Sequence, residues 1–214
     1  MNKKISLIIV DDHDLFREGI KTLLGKSQKV EFIGEAANGK EFLNLLETNN
    51  PDVVLMDISM PVMDGIEATK QAVQLYPDIK ILALSMFGEE EYYYKMIQSG
   101  VRGFILKSAG INEVEIAIQQ VAEGSAYFSD ELLEYVRKYI HYDKSKEKIL
   151  DLTENEVKAL QLTAKNLSDD EMAGNLNITT EELKKLKAKL YSKTGSNNSS
   201  GLVMYAIKNK IIEI

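Results

Sequence analysis

Val53-Val54-Leu55-Met56-Asp57-Ile58-Ser59-Met60-Pro61-Val62-Met63-Asp64-Gly65 is the stretch whose reading decides the fold. An apolar run ends abruptly on Asp57, and a proline and an Asp-Gly pair punctuate the loop before a helix predicted near 65–76. The same arrangement recurs outward in both directions. Ile5-Ser6-Leu7-Ile8-Ile9-Val10 ends at Asp11-Asp12, the run from Ile79 to Leu84 ends at Ser85, and Gly103-Phe104-Ile105-Leu106 ends at Lys107. In an open parallel sheet the strand carboxyl ends form the ligand-binding rim, so these polar residues converge. Three crowded carboxylates repel unless a cation joins them, and Mg²⁺ held by carboxylate and phosphate oxygens meets that need. Any one of these residues alone reads as an ordinary strand-end polar group. The ordered set, at four strand ends, reads as a site for Mg²⁺ and a phosphoryl group. An Asp-x-Asp phosphotransferase would need a second acid two residues past Asp57, where Ser59 stands.

Strands are predicted near 5–10, 30–35, 53–57, 79–84 and 103–106, alternating with helices near 14–25, 39–48, 65–76, 89–99 and 112–123. Gly25, Asn49-Asn50-Pro51, Pro77 and Gly100 fall where these helices should stop. Five alternations predict an α/β, doubly wound, five-stranded parallel sheet over residues 1–123, with helices on both faces. In the first helix Leu15, Ile20, Leu23 and Leu24 are expected toward the sheet, leaving Arg17, Glu18 and Lys21 to water. Tyr92-Tyr93-Tyr94 cannot all face inward on one helix, so at least one is expected at the surface. Residues 124–148 read as a linker with an amphipathic helix near 129–142, followed by a solvated charged run from His141 to Lys148.

A small all-α domain is predicted over 149–214. Thr153 with Glu156, Ser168 with Glu171, and Thr179 with Glu182 each fit a capping box, in which hydroxyl and carboxylate reciprocally bond exposed backbone donors. Helices follow near 153–165, 168–175, 179–193 and 200–209. The connection Leu176-Asn177-Ile178 is tight enough for a helix-turn-helix, and Ala173 is small where two helices must approach.

Composition narrows the classes. The 214 residues contain no cysteine, which excludes disulfides and thiolate metal sites and fits a cytoplasmic protein. No stretch is long enough to span a membrane, and the apolar run at 5–10 is too short for a signal core. Net charge is −7, yet residues 148–214 hold ten Lys and nine Asp or Glu, a balance of +1. An acidic front and a Lys-rich back suggest two domains with different partners.

On these residues, 1–123 resemble the receiver domain of bacterial two-component response regulators, a flavodoxin-like fold, and Asp57 to Gly65 is similar to that family's phosphoacceptor loop. The resemblance implies that Asp57 takes phosphate from a sensor histidine kinase. It further implies that Asp11, Asp12, Asp57 and the Ser59 backbone carbonyl hold Mg²⁺. Ser85 would bond the aspartyl phosphate, Lys107 would pair with its charge, and Phe104 occupies the aromatic switch position, biased inward on phosphorylation. Such a protein is a phosphoryl acceptor rather than an enzyme with its own substrate. Ser59 and Phe87 stand where the family tunes acyl-phosphate lifetime. His13 is read as a loop-surface histidine, because Mg²⁺ prefers oxygen, and His141 receives no role.

Residues 149–214 resemble the four-helix, LuxR-type helix-turn-helix domain of NarL/FixJ regulators. The match is carried by Leu152-Thr153-Glu154-Asn155-Glu156, by Ser168 to Ala173 and by Leu176 to Thr179. The third helix departs from the family at Glu182-Leu183-Lys184-Lys185-Leu186, and Ser199 stands where an Arg is common. At 100° per residue Leu183, Leu186 and Leu190 form an apolar stripe. Lys184, Lys185, Ala188 and Ser192 then project oppositely, with Lys189 flanking, as candidate DNA contacts for a protein that dimerises on activation. Glu181 and Glu182 work against DNA. The alternative is a phosphorylation-controlled protein-interaction regulator whose helix-turn-helix does not read DNA.

Overall fold

A computed structural model of the chain describes residues 3–86, 90–129, 133, 152–209 and 211–212. Strand β1 (Ile5–Val10) leads into α1 (Asp14–Leu24), β2 (Val30–Ala36), α2 (Gly39–Leu46), β3 (Val53–Asp57) and α3 (Gly65–Leu75). The alternation continues through β4 (Ile81–Ser85), α4 (Glu90–Ser99), β5 (Gly103–Leu106), α5 (Ile111–Ala122) and β6 (Tyr127–Phe128). All pairings are parallel, in the order β2-β1-β3-β4-β5-β6. The order reverses between β1 and β3, which opens a crevice at their carboxyl ends.

The sheet has six strands rather than the five predicted. The sixth is two residues long, too short to carry a periodic signal, and lies inside the segment read as linker. Gly103 makes the pairing possible, because a Cβ there would stand 2.1 Å from the Tyr127 carbonyl oxygen.

Alternation along the strands divides the core. Leu7, Ile9, Leu55, Leu82, Leu84 and Ile105 pack with α1 and α5. Ile8, Val10, Val54, Met56, Ala83 and Phe104 pack with α2, α3 and α4. In α1 the sheet-facing stripe is Phe16, Ile20 and Leu24, at four-residue spacing. Leu15 (90% exposed) and Leu23 (49% exposed) therefore point away, contrary to the expectation that they face the sheet. In α4 Tyr93 is buried and Tyr92 is half-buried.

Four helices follow: α6 (Glu154–Ala164), α7 (Asp169–Leu176), α8 (Thr180–Thr194) and α9 (Ser199–Lys208). The first three open with the predicted capping boxes, complete in both directions. Asn177 ends α7 with φ 53°, a left-handed residue that turns the chain within three positions into Thr179, the cap of α8. Most of the helix predicted at 129–142, the charged run after it, Phe87 and His141 lie outside the described residues. Leu133 is buried, and its N–H donates to the Ser129 carbonyl (3.1 Å).

Two asparagines of the C-terminal part hydrogen-bond backbone of the α/β part. Asn166, with φ 54°, accepts from the Phe128 N–H (2.9 Å) and donates to the Phe128 carbonyl (2.6 Å), capping the edge of β6. Asn198 donates through Nδ2 to the carbonyls of Gly100 (3.1 Å) and Val101 (3.2 Å), while its Oδ1 caps α9 by accepting from Gly201.

Candidate functional site

Parallel register brings the strand ends level: Val10 lies beside Met56, Asp57 beside Leu84, and Ser85 beside Leu106. Asp11, Asp57, Ser85 and Lys107 consequently surround one point at the crevice. Asp11 and Asp57 are buried and Asp12 is partly exposed. The Lys107 ammonium bridges the two buried acids, 2.8 Å from Asp11 Oδ2 and 2.9 Å from Asp57 Oδ2. Burial pulls the Lys107 ammonium toward neutrality, and hydrogen bonds and charge from Asp11 and Asp57 more than reverse this. Its pKa stands above the ordinary lysine value. The Phe16 ring, 5.2 Å from Nζ, covers the same ammonium.

Local structure explains why the loop after β3 has its sequence. A Cβ on Gly65 would lie 2.0 Å from the Asp57 carbonyl oxygen, so α3 can start against the Asp57 backbone only with glycine there. Gly65 N–H donates to the Ile58 carbonyl (2.9 Å), and Asp64 caps α3 by accepting from Glu67 N–H (2.8 Å). Ser59 is exposed two residues beyond Asp57.

Ligand atoms of Asp11, Asp12, His13 and Asp57 all lie within 4.8 Å of one another. His13 is a surface histidine, as expected, with its side chain 63% exposed, and its Nδ1 borders the acids at 3.1 Å from Asp11 Oδ1 and 2.8 Å from Asp12 Oδ1. The residues fit a divalent cation: two buried carboxylates and a third beside them leave negative charge that one lysine does not balance, and oxygen donors suit a hard ion.

The Ser85 hydroxyl is already engaged. Its Oγ lies 2.9 Å from the Tyr93 hydroxyl and 3.1 Å from the Met86 carbonyl oxygen. Phe104, expected to move inward on activation, is already fully buried. It meets Tyr93 edge-on at 5.4 Å and stacks on Phe128 at 6.1 Å. Sequence reading missed Tyr93 because the Tyr-Tyr-Tyr run does not say which ring enters the core; the β-to-helix spacing from Ser85 was the available signal.

On α8, Lys184, Lys185, Ala188, Lys189 and Ser192 are exposed, while Leu183 and Leu190 are buried and Leu186 half-buried. Two of the lysines are engaged: Lys185 pairs with Glu181 (3.3 Å) and Lys189 with Glu156 (3.0 Å). Glu156 is fully buried and also takes Lys193 (2.7 Å) and the Thr153 N–H (2.8 Å). Burial would raise its pKa, but these partners outweigh it and hold the carboxyl down at about 2. Lys187, not singled out by sequence, is buried and pairs with Asp169, tying α8 to the start of α7.

A parallel α/β sheet with an acid-lysine crevice, followed by a capped helix-turn-helix, defines the class of molecule. Residues 7–119 match the response regulator receiver domain model. The chain is 31% identical to the transcriptional regulatory protein DegU of Brevibacillus brevis, over 99% of this chain and 96% of that one. It is 34% identical to the response regulator protein VraR of Staphylococcus aureus, covering 98% and 99% respectively. The crystal structure of response regulator ChrA, from a heme-sensing two-component system, superposes with a TM-score of 0.54 at 25% identity, covering 98% of this chain and 99% of ChrA. The receiver domain of the putative regulator NarL from Mycobacterium tuberculosis gives a TM-score of 0.54 at 36% identity, over 57% of this chain and 99% of that domain. The chain belongs to the response regulator family, with the NarL/FixJ arrangement. Among the described residues no helix is long and apolar enough to cross a membrane.

Proposed function

We propose that this protein is a transcriptional response regulator in which Asp57 accepts a phosphoryl group from a sensor histidine kinase and α8 reads DNA. The observation that carries the reading is the Lys107 ammonium bridging Asp11 and Asp57 at the sheet's switch point. An Asp57 carboxylate oxygen forms the new bond to phosphorus as the bond from phosphorus to the kinase imidazole nitrogen breaks. Lys107 faces the phosphoryl oxygens and offsets their charge. Asp11, Asp12, Asp57 and the Ser59 carbonyl would hold Mg²⁺, which when bound neutralises the phosphoryl and carboxylate oxygens. Residues 1–123 form the receiver, extended to β6, and 149–214 the output domain.

Phosphorylation draws the Ser85 hydroxyl from Tyr93 toward the new acceptor oxygens. Phe104 already fills the core, so the change passes through Tyr93 and the Phe104–Phe128 stack rather than through entry of Phe104. The two arrangements form a population whose balance the phosphoryl group shifts. A homodimer would set two α8 helices on a two-fold related site, with Lys184, Lys185, Ala188, Lys189 and Ser192 facing the groove.

A second reading has its own observation. Lys185 and Lys189 are paired with Glu181 and Glu156, which leaves less free positive charge for phosphates and favours a protein partner for α8. Purified protein, with and without beryllofluoride and Mg²⁺, is used to capture genomic fragments. Enrichment of a two-fold symmetric motif that strengthens with beryllofluoride supports DNA reading. No enrichment from folded, beryllofluoride-responsive protein moves the assignment to a protein partner. Where binding occurs, affinity through phosphate contacts falls steeply with salt.

A further inference from the structure

Between α3, α4 and the start of α9 lies a cleft of about 700 Å³, within the size range of small-molecule sites. Its lining combines apolar Ile66, Val73 and Ile79 with the cations Lys70, Lys95 and Arg102. Gln74, Gln98 and Asn197 also line it, and among the described residues no aspartate or glutamate does. Among the described residues no ion pair engages the three cations. Lys95 lies over the Tyr92 ring at 5.4 Å. Arg102 Nε is buried without a hydrogen-bond partner, a donor that an oxyanion would satisfy.

Scattered surface lysines need no ligand, because water solvates them. Three like charges converging on one concave, partly apolar volume are different: the walls focus their field and raise the local concentration of anions. Arginine's planar fork suits phosphoryl oxygens, and a lining of apolar side chains and amides suits a flat organic ring. We propose that this cleft binds a small phosphorylated organic anion, a nucleoside phosphate by chemical class, with Lys70, Lys95 and Arg102 on its phosphoryl oxygens and the ring over Ile66 and Val73. Asn197 and Asn198 come from the helix-turn-helix part, and Asn198 holds the Gly100 and Val101 carbonyls at the cleft wall. A ligand here touches both parts of the chain, binds their paired arrangement best, and shifts the population toward it.

The test is calorimetric titration of the full chain at low salt, with EDTA present so that the acidic crevice plays no part. The probes are ADP, inorganic triphosphate and adenosine. ADP is expected to bind one to one, triphosphate more weakly and adenosine not measurably. Lys70→Gln/Lys95→Gln, two exposed positions whose change leaves the fold intact by circular dichroism, weakens ADP at least about tenfold, as does Arg102→Gln. Lys26→Gln/Lys40→Gln, which removes the same charge elsewhere, leaves ADP affinity unchanged. Absence of saturable ADP binding, or equal loss in the control variant, overturns the site. Triphosphate binding as tightly as ADP overturns the nucleoside assignment. Displacement of ADP by duplex DNA of arbitrary sequence overturns the small-ligand reading and reassigns the face to the DNA backbone.

Discussion

At the scale of single residues, the decisive group is Lys107, because two buried carboxylates share its one charge. Lys107→Ala leaves Asp11 and Asp57 facing each other without it, and removal of one partner from a buried ionic cluster costs about 3 kcal/mol. Urea unfolding in EDTA should register that loss, and millimolar Mg²⁺ should narrow the gap by replacing the missing charge. A gap indifferent to Mg²⁺ would deny the acids a metal. Asp57→Asn should retain no label from a phosphorylated kinase, and label retained by that variant would remove the nucleophile assignment. Glu156 gives a pH signature. Its pKa is depressed from the ordinary 4.5 to about 2, so its ion pairs with Lys189 and Lys193 contribute stability above pH 4.5 and lose it as pH falls toward 2. Glu156→Gln should therefore lower stability at pH 7 by about 2 kcal/mol, and the difference from wild type should shrink between pH 4.5 and 2. Denaturation curves across that window check it. The strand-end acids and Lys107 were legible because chemistry-bearing residues terminate apolar runs. Lys187 was not, since a buried lysine and an exposed one look alike until the partner, Asp169, is placed by the fold.

At the scale of elements, Gly65 and the helix caps carry the most information per residue. A methyl on Gly65 would meet the Asp57 carbonyl oxygen at 2.0 Å, backbone that has no room to move without shifting Asp57. Gly65→Ala should destabilise by about 2 kcal/mol and slow phosphorylation of Asp57, both measurable on the same preparation. Unchanged phosphorylation would mean that the loop absorbs the methyl without disturbing the site. All three C-terminal boxes were readable in advance because a hydroxyl three residues before a carboxylate is a purely local signal. Strand β6 was not readable, because a two-residue strand exists only through its neighbour β5 and the glycine that admits it. The orientation of α1 failed for a related reason. Leu15 and Phe16 are equally apolar in sequence, and only the 16, 20, 24 ridge in contact with the sheet distinguishes them.

At the scale of the whole molecule, the acidic crevice and the helix-turn-helix are connected by packed aromatic groups: Ser85 contacts Tyr93, Tyr93 contacts Phe104, and Phe104 stacks on Phe128. Asn166 grips Phe128 by both backbone groups from the other side. If phosphorylation acts by changing the Ser85–Tyr93 contact, Asn166 is one point where the change reaches the output helices. Asn166 holds φ at 54°, so alanine there would add backbone strain and confuse the result, whereas glycine accepts that conformation freely. Asn166→Gly removes two hydrogen bonds worth about 1 kcal/mol each and leaves both folded parts intact. The arrangement in which Asn166 clasps Phe128 should then lose roughly tenfold or more in population relative to one in which that contact is broken. Asp57 should still accept phosphate at the wild-type rate, while DNA binding without beryllofluoride rises and the further gain on adding it shrinks. Fluorescence anisotropy on a captured fragment, in both states, reads both quantities. A variant whose DNA affinity and beryllofluoride response match wild type would show that the two parts communicate by another route, leaving the Phe128 clasp a purely structural seam.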